Sequence, residues 1–207
     1  VKRLAFCLSA CALLAGCNGL PQPFLSDPVY SQYFVVNSGF PAPYLFQGSA
    51  IQWNSDYAVT AKHIPFVSGV VHEGQGDLVF FKHSSKHSPQ WRQYTDGERL
   101  TAVGFSPFGL SVKGSGHAKT SRVTMSDFND GIRYSFSDMP LVKGMSGGPV
   151  FADDGMVVGI SVAFVPKQRL TDSKNPEIAG SERVSVFISY EEISKEWERF
   201  QSAEASR

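Results

Sequence analysis

"KGMSGGPVFADDGMVVGISVAF", residues 143–164, sets a serine between glycines, then a proline, an apolar run, an Asp-Gly turn and a second apolar run. Apolar runs on either side of Asp154-Gly155 read as a β-hairpin. At average residue usage, Gly144, Ser146, Gly147, Gly148 and Pro149 match this spacing by chance at about one start in a million. A glycine turn between strands does not call for that spacing, whereas a serine held on a rigid loop does. A serine hydroxyl is a poor nucleophile at neutral pH unless an imidazole lies in hydrogen-bond reach and a carboxylate fixes the imidazole's tautomer.

Upstream, "GSAIQWNSDYAVTAKHI" (48–64) reads as two apolar strands joined at Asn54-Ser55-Asp56, delivering His63 just after the second. "DLVFFK" (77–82) opens on Asp77 at the entrance to an apolar strand, where a partly buried acid needs a partner. His72, His83, His87 and His117 compete for the role of base. His83 and His87 are four apart, but no glutamate stands beside them, so no metal site is expected. The sequence calls for no cofactor.

Short strand-like runs separated by Gly, Pro, Asn and Asp fill the chain from Tyr33 to Ile188: 33–36, 48–53, 58–60, 69–72, 78–81, 99–105, 133–136, 149–151, 156–165 and 183–188. This spacing predicts an all-β fold. One helix is expected at the end, where Ser189 and Glu192 have capping-box spacing and Ile193, Trp197 and Phe200 share a face against the last strand. The polar stretches 82–96 and 167–182 read as exposed loops.

These residues resemble the trypsin-fold (chymotrypsin-like) serine proteases, among them bacterial enzymes of the high-temperature-requirement and glutamyl-endopeptidase kind. "SGGPVFADDGMVVGISVAF" is similar to the family's stretch from nucleophile to substrate-binding strand, "TAKH" to its histidine block, "DLVFFK" to its aspartate block, and "VGFSPFGL" (103–110) to a loop of the bacterial branch. The resemblance implies two six-stranded antiparallel β-barrels with a C-terminal α-helix against the second. It implies Ser146 as nucleophile, His63 as base, Asp77 as its orienting acid, and the N–H groups of Gly144 and Ser146 as oxyanion hole. Leu141, Val142, Ser161, Val162 and Ala163 would contact a polypeptide substrate, which would pair with a strand near 159–163. Asp138 would lie near the base of an otherwise apolar pocket, favouring an apolar side chain before the cut. Met145 stands where many relatives carry Asp or Asn, so activity without zymogen processing is expected. His63 and Asp77 are fourteen apart, which requires a minimal connection. A lipid-anchored surface binding or exclusion protein with the same fold and little turnover is the alternative.

The first residues, "VKRLAFCLSACALLAGCNGL", combine Lys2 and Arg3, an apolar stretch too short for a comfortable membrane span, and Leu14-Ala15-Gly16-Cys17. They resemble a bacterial lipoprotein signal. The implied organisation is a signal peptide over 1–16, a tether over 17–28 and one protease-like domain over 29–207. Cys17 would carry the lipid, in a bacterial cell envelope and on the outer rather than the inner membrane. Cys7, Cys11 and Cys17 all fall in the leader and tether, leaving the domain without a disulfide. Lys plus Arg equals Asp plus Glu at 19 each, and nothing interleaves basic and aromatic residues. Nucleic acid is therefore disfavoured as a partner.

Overall fold

The computed structural model describes residues 19–25, 30, 32–38, 46–124, 132–170, 174–178, 181 and 183–206. The expected signal peptide and Cys17 lie outside them.

The chain runs β1 (Gln22–Pro23), β2 (Tyr33–Ser38), β3 (Phe46–Gln52), β4 (Tyr57–Thr60), β5 (Val70–Glu73), β6 (Val79–Lys82), β7 (Arg99–Phe105), β8 (Ser111–Val123), β9 (Tyr134–Ser137), β10 (Pro149–Ala152), β11 (Val157–Pro166), β12 (Arg183–Ser189) and α1 (Tyr190–Ala205). Two antiparallel sheets result. The first has the order β2-β3-β4-β6-β5, five strands among the described residues. The second has the order β1-β8-β7-β10-β11-β12-β9, and pairing of β8 with β9 closes its last six strands into a barrel, with β1 added outside β8. This is a chymotrypsin-like double-barrel arrangement with one C-terminal helix.

Local chemistry fixes the hairpins. At the β3–β4 turn, Asn54 Oδ1 accepts from the N–H groups of Asp56 and Tyr57 at 3.0 and 3.1 Å. Such an Asx turn closes the strands without borrowing from the ladder. At the β10–β11 turn, Gly155 has φ +80° and donates to Ala152 O at 3.0 Å, while Met156 N–H donates to Asp154 Oδ1. One core cluster joins the sheets, with Ile51, Val59, Leu78 and Phe80 from the first and Val103, Tyr134, Phe151, Ile160 and Val186 from the second. Burying one such side chain contributes about 1.5–3 kcal/mol.

Two expectations change. The capping box does not form: Ser189 makes no side-chain cap, and Glu192 instead pairs with Lys195 at 2.9 Å. Nor does α1 lie only on the last strand. Trp197 packs on Trp53, Tyr57 and Phe80, and Phe200 on Tyr57 and His72, so the helix carries its aromatic face back onto the first sheet.

Candidate active site

Antiparallel pairing of β4 with β6 sets Thr60 opposite Val79. The residues just beyond β4 therefore face those just before β6, and the short β5 excursion between them satisfies the tight His63–Asp77 spacing. Gly76 turns the chain there at φ +73°, close against Ile132 and Tyr134. Asp77 is 1% exposed. Its Oδ1 accepts the His63 backbone N–H at 2.7 Å and its Oδ2 faces His63 Nδ1 at 2.5 Å, while its own N–H donates to the Tyr134 hydroxyl. One carboxylate thus holds both the backbone and the ring of His63, and 43% of the His63 side chain remains open to solvent.

The second sheet supplies Ser146 on the loop between β9 and β10. Gly144 has φ +91°, and a Cβ there would come 2.5 Å from Phe105 O. Only glycine fits without strain. Gly147, at φ +80°, approaches the first sheet so closely that a Cβ would lie 2.1 Å from Thr60 Oγ1 and 2.2 Å from Ser49 O. Among the described residues, neither the Gly144 nor the Ser146 N–H donates to any protein group. Free amides at a sharp loop are uncommon and suit an anion. The Ser146 hydroxyl donates to Val162 O at 3.0 Å, not to His63. Val162 is the extra residue where the β11–β12 register shifts, between Ser161 and Ala163. A bulged residue leaves the ladder, which frees its carbonyl for the serine hydroxyl.

Ser49 went unnoticed in the sequence and clamps the two sheets. Fully buried on β3, it donates through Oγ to Gly144 O at 2.7 Å and accepts there from Phe105 N–H at 3.0 Å. Its N–H reaches Ser146 O at 2.8 Å, and its carbonyl accepts from Thr60 Oγ1. The available signal was a lone polar residue on a strand's buried face, which demands partners.

The other expected site residues divide. Leu141 and Val142 line a cleft of about 540 Å³ together with Met139, Pro140, Phe164 and Ser185. Val162 offers its carbonyl, and Ala163 lies half-buried beside it. Ser161 instead holds the serine loop: it is fully buried, its Oγ donates to Met145 O and Gly148 O, and its N–H and carbonyl pair with Gly148 and Gly147. Asp138 turns away from the cleft onto β8, where Lys119 Nζ lies at 2.6 Å and His117 N–H donates to it. Burial raises its carboxyl, but those bonds and the lysine charge hold it below the ordinary range. Lys143 and Arg183 line the cleft instead. Met145 is fully buried in the second core.

Among the competing histidines, His72 pairs with buried Glu196 of α1 at 3.3 Å, and His83 pairs with Gln52 while stacking on Phe34. No group of three metal-binding side chains occurs among the described residues.

A trypsin-like peptidase domain model matches residues 55–160, just over half of the chain and inclusive of His63, Asp77 and Ser146. No curated protein matches the sequence. Among solved structures, the chain is similar to the serine endoprotease from Yersinia pestis, with 14% identity over 86% of this chain and 68% of that one and a TM-score of 0.62. It is similar to the HtrA-type protease AlgW with tripeptide, at 17% identity over 75% of this chain and a TM-score of 0.59, and spans about half (55%) of that chain's length. The protease domain of MamO from Magnetospirillum magneticum gives 16% identity over 79% and 93%, with a TM-score of 0.57. At such identities the likeness is one of fold.

Proposed function

Since the chain belongs to the trypsin-like peptidase family, we propose that it is a serine endopeptidase that cuts polypeptides through an acyl-enzyme, with Ser146 as nucleophile, His63 as base and Asp77 as its orienting acid. The observation that carries this reading is the grip of Asp77 on both the backbone N–H and the ring Nδ1 of His63, at 2.7 and 2.5 Å. That grip directs the Nδ1 proton to the carboxylate and leaves Nε2 as the base.

A substrate strand adding to β11 would offer an N–H to Val162 O. The Ser146 hydroxyl, released from that carbonyl, turns about χ1 to His63. Its proton passes to Nε2 as Oγ bonds to the scissile carbon, and the Gly144 and Ser146 amides receive the oxyanion. Nε2 then gives the proton to the departing amine, and water repeats the sequence to free the acid. The walls formed by Met139, Leu141 and Val142 support an apolar side chain before the cut. A peptide library preferring Arg, Lys or Glu there would overturn that specificity.

Anchorage by a lipid on Cys17 in a bacterial envelope completes the proposal, on the strength of the Leu14–Cys17 motif. One observation favours a binding module with little turnover, namely the resting bond of Ser146 to Val162 O. Incubation with an unfolded polypeptide separates the readings. The peptidase cleaves it and Ser146→Ala does not; binding without cleavage by the unsubstituted chain would favour the module.

A further inference from the structure

Six large apolar side chains are exposed among the described residues, and four of them, Leu20, Leu25, Phe108 and Leu110, belong to two segments joined by the β1–β8 pairing. Pairing of Gln22 with Lys113 and Pro23 with Val112, continued by Phe24 N–H to Ser111 O at 3.1 Å, runs Leu25 alongside Leu110. Leu20 and Phe108 line the same 540 Å³ cleft. Phe108, 88% exposed, rides a well-made turn in which Ser106 N–H donates to Leu110 O at 2.8 Å and Gly109, at φ +74°, donates to Ser106 O. A hydrogen-bonded turn that holds an aromatic ring out in water keeps it available for something outside the chain.

Charge and chain direction indicate what that is. Among the described residues no acid lines the cleft, whereas Lys143 and Arg183 do, and no carboxylate pairs with either. Gly19 lies on the same wall. Cys17 is two residues earlier, so the proposed lipid enters the bilayer within about 7 Å of this face. Exposed apolar residues beside two cations, next to the proposed acyl anchor, match the headgroup and upper acyl region of an anionic bilayer.

We propose that the 106–110 turn and the 20–25 segment form a membrane-docking face that seats the cleft mouth on the bilayer, so that the preferred substrates are polypeptide segments at the membrane surface. This rests on the lipid-anchor and peptidase readings above.

The test places an environment-sensitive dye at Phe108→Cys or Leu25→Cys, with Ser202→Cys on exposed α1 as reference, in the full chain isolated from bacteria and reconstituted in phosphatidylethanolamine and phosphatidylglycerol vesicles. Blue-shifted emission quenched by spin-labelled lipid at 108 and 25, but not at 202, is expected. A chain that floats with vesicles yet leaves 108 and 25 unquenched overturns docking and spares the anchor. A chain that does not float defeats the anchor alone: vesicles added in excess then still quench the 108 dye if docking is right, and leave it unquenched if it is wrong. Leu25→Ser with Leu110→Ser should leave cleavage of a soluble peptide unchanged and slow cleavage of the same sequence on a membrane-tethered carrier by about tenfold. Equal effects on the two substrates would overturn the proposal.

Discussion

The Ser146 hydroxyl rests on Val162 O, and the backbone around it decides what it can do. Gly144 is the sharpest constraint, since a side chain there meets both a left-handed φ and Phe105 O at 2.5 Å. Gly144→Ala should lower kcat by about 10² to 10³, as loss of one oxyanion donor does, with KM little changed. Steady-state kinetics on a peptide substrate checks this, and an unchanged kcat would remove Gly144 from the oxyanion site. At this scale the sequence was legible where chemistry demands a residue type: a serine among glycines, a histidine at a strand end, an acid at a strand entrance. Ser49 was not legible, because its importance lies in four hydrogen bonds, two of which cross to the serine loop some ninety-five positions away. Ser161 reads as a substrate contact along the strand, yet its polar groups all turn inward to Met145, Gly147 and Gly148.

Among the elements, β8 is the longest strand and the one the sequence conceals. "SVKGSGHAKTSRV" holds Gly114 and Gly116, which read as breakers. Their function is steric: a Cβ at Gly114 would lie 2.0 Å from Pro140 O, and one at Gly116 would lie 2.4 Å from Asp138 Oδ1, so the segment leading to the serine loop lies directly on the strand. Most of the other strands were legible within a residue or two, because their apolar runs end at turn residues. β8 also receives the 174–178 segment, as Thr120 and Ser121 N–H groups donate to Glu177 at 2.9 and 2.8 Å. Burial pushes the Glu177 carboxyl up, but the bonds from Ser121 and Thr120 prevail and hold it at about 2, below its ordinary 4.5. A depressed acid stabilises the fold above its ordinary value, and that contribution fades as pH falls through 4.5 towards 2. Thermal unfolding should therefore decline more steeply over this window in the unsubstituted protein than in Glu177→Gln. Parallel declines would mean that the contact contributes nothing measurable.

Across the whole molecule, the proposed base and its acid come from the first sheet and the proposed nucleophile from the second, so the proposed site requires the two halves to be in register. Gly147 lies at a tight point of that contact. A methyl group there would lie 2.1 Å from Thr60 Oγ1 and 2.2 Å from Ser49 O and would push the serine loop off the strand that leads to His63. Gly147→Ala should lower kcat/KM by about 10², the scale of an ångström's misplacement, together with the unfolding temperature. Retention of full activity would show that the halves tolerate separation there. The all-β class was legible from strand spacing, and the two-barrel plan from the resemblance that the serine, histidine and aspartate motifs carry; the return of α1 onto the first sheet was not legible, because Trp197 and Phe200 mark a buried face without naming the surface that covers it. The most direct measurement of the central claim is mass spectrometry of the protein after exposure to a fluorophosphonate. The account predicts one phosphonyl adduct, mapped to the peptide that contains Ser146 and lost in His63→Ala, whereas an adduct on another residue, or none on the intact folded chain, would contradict it.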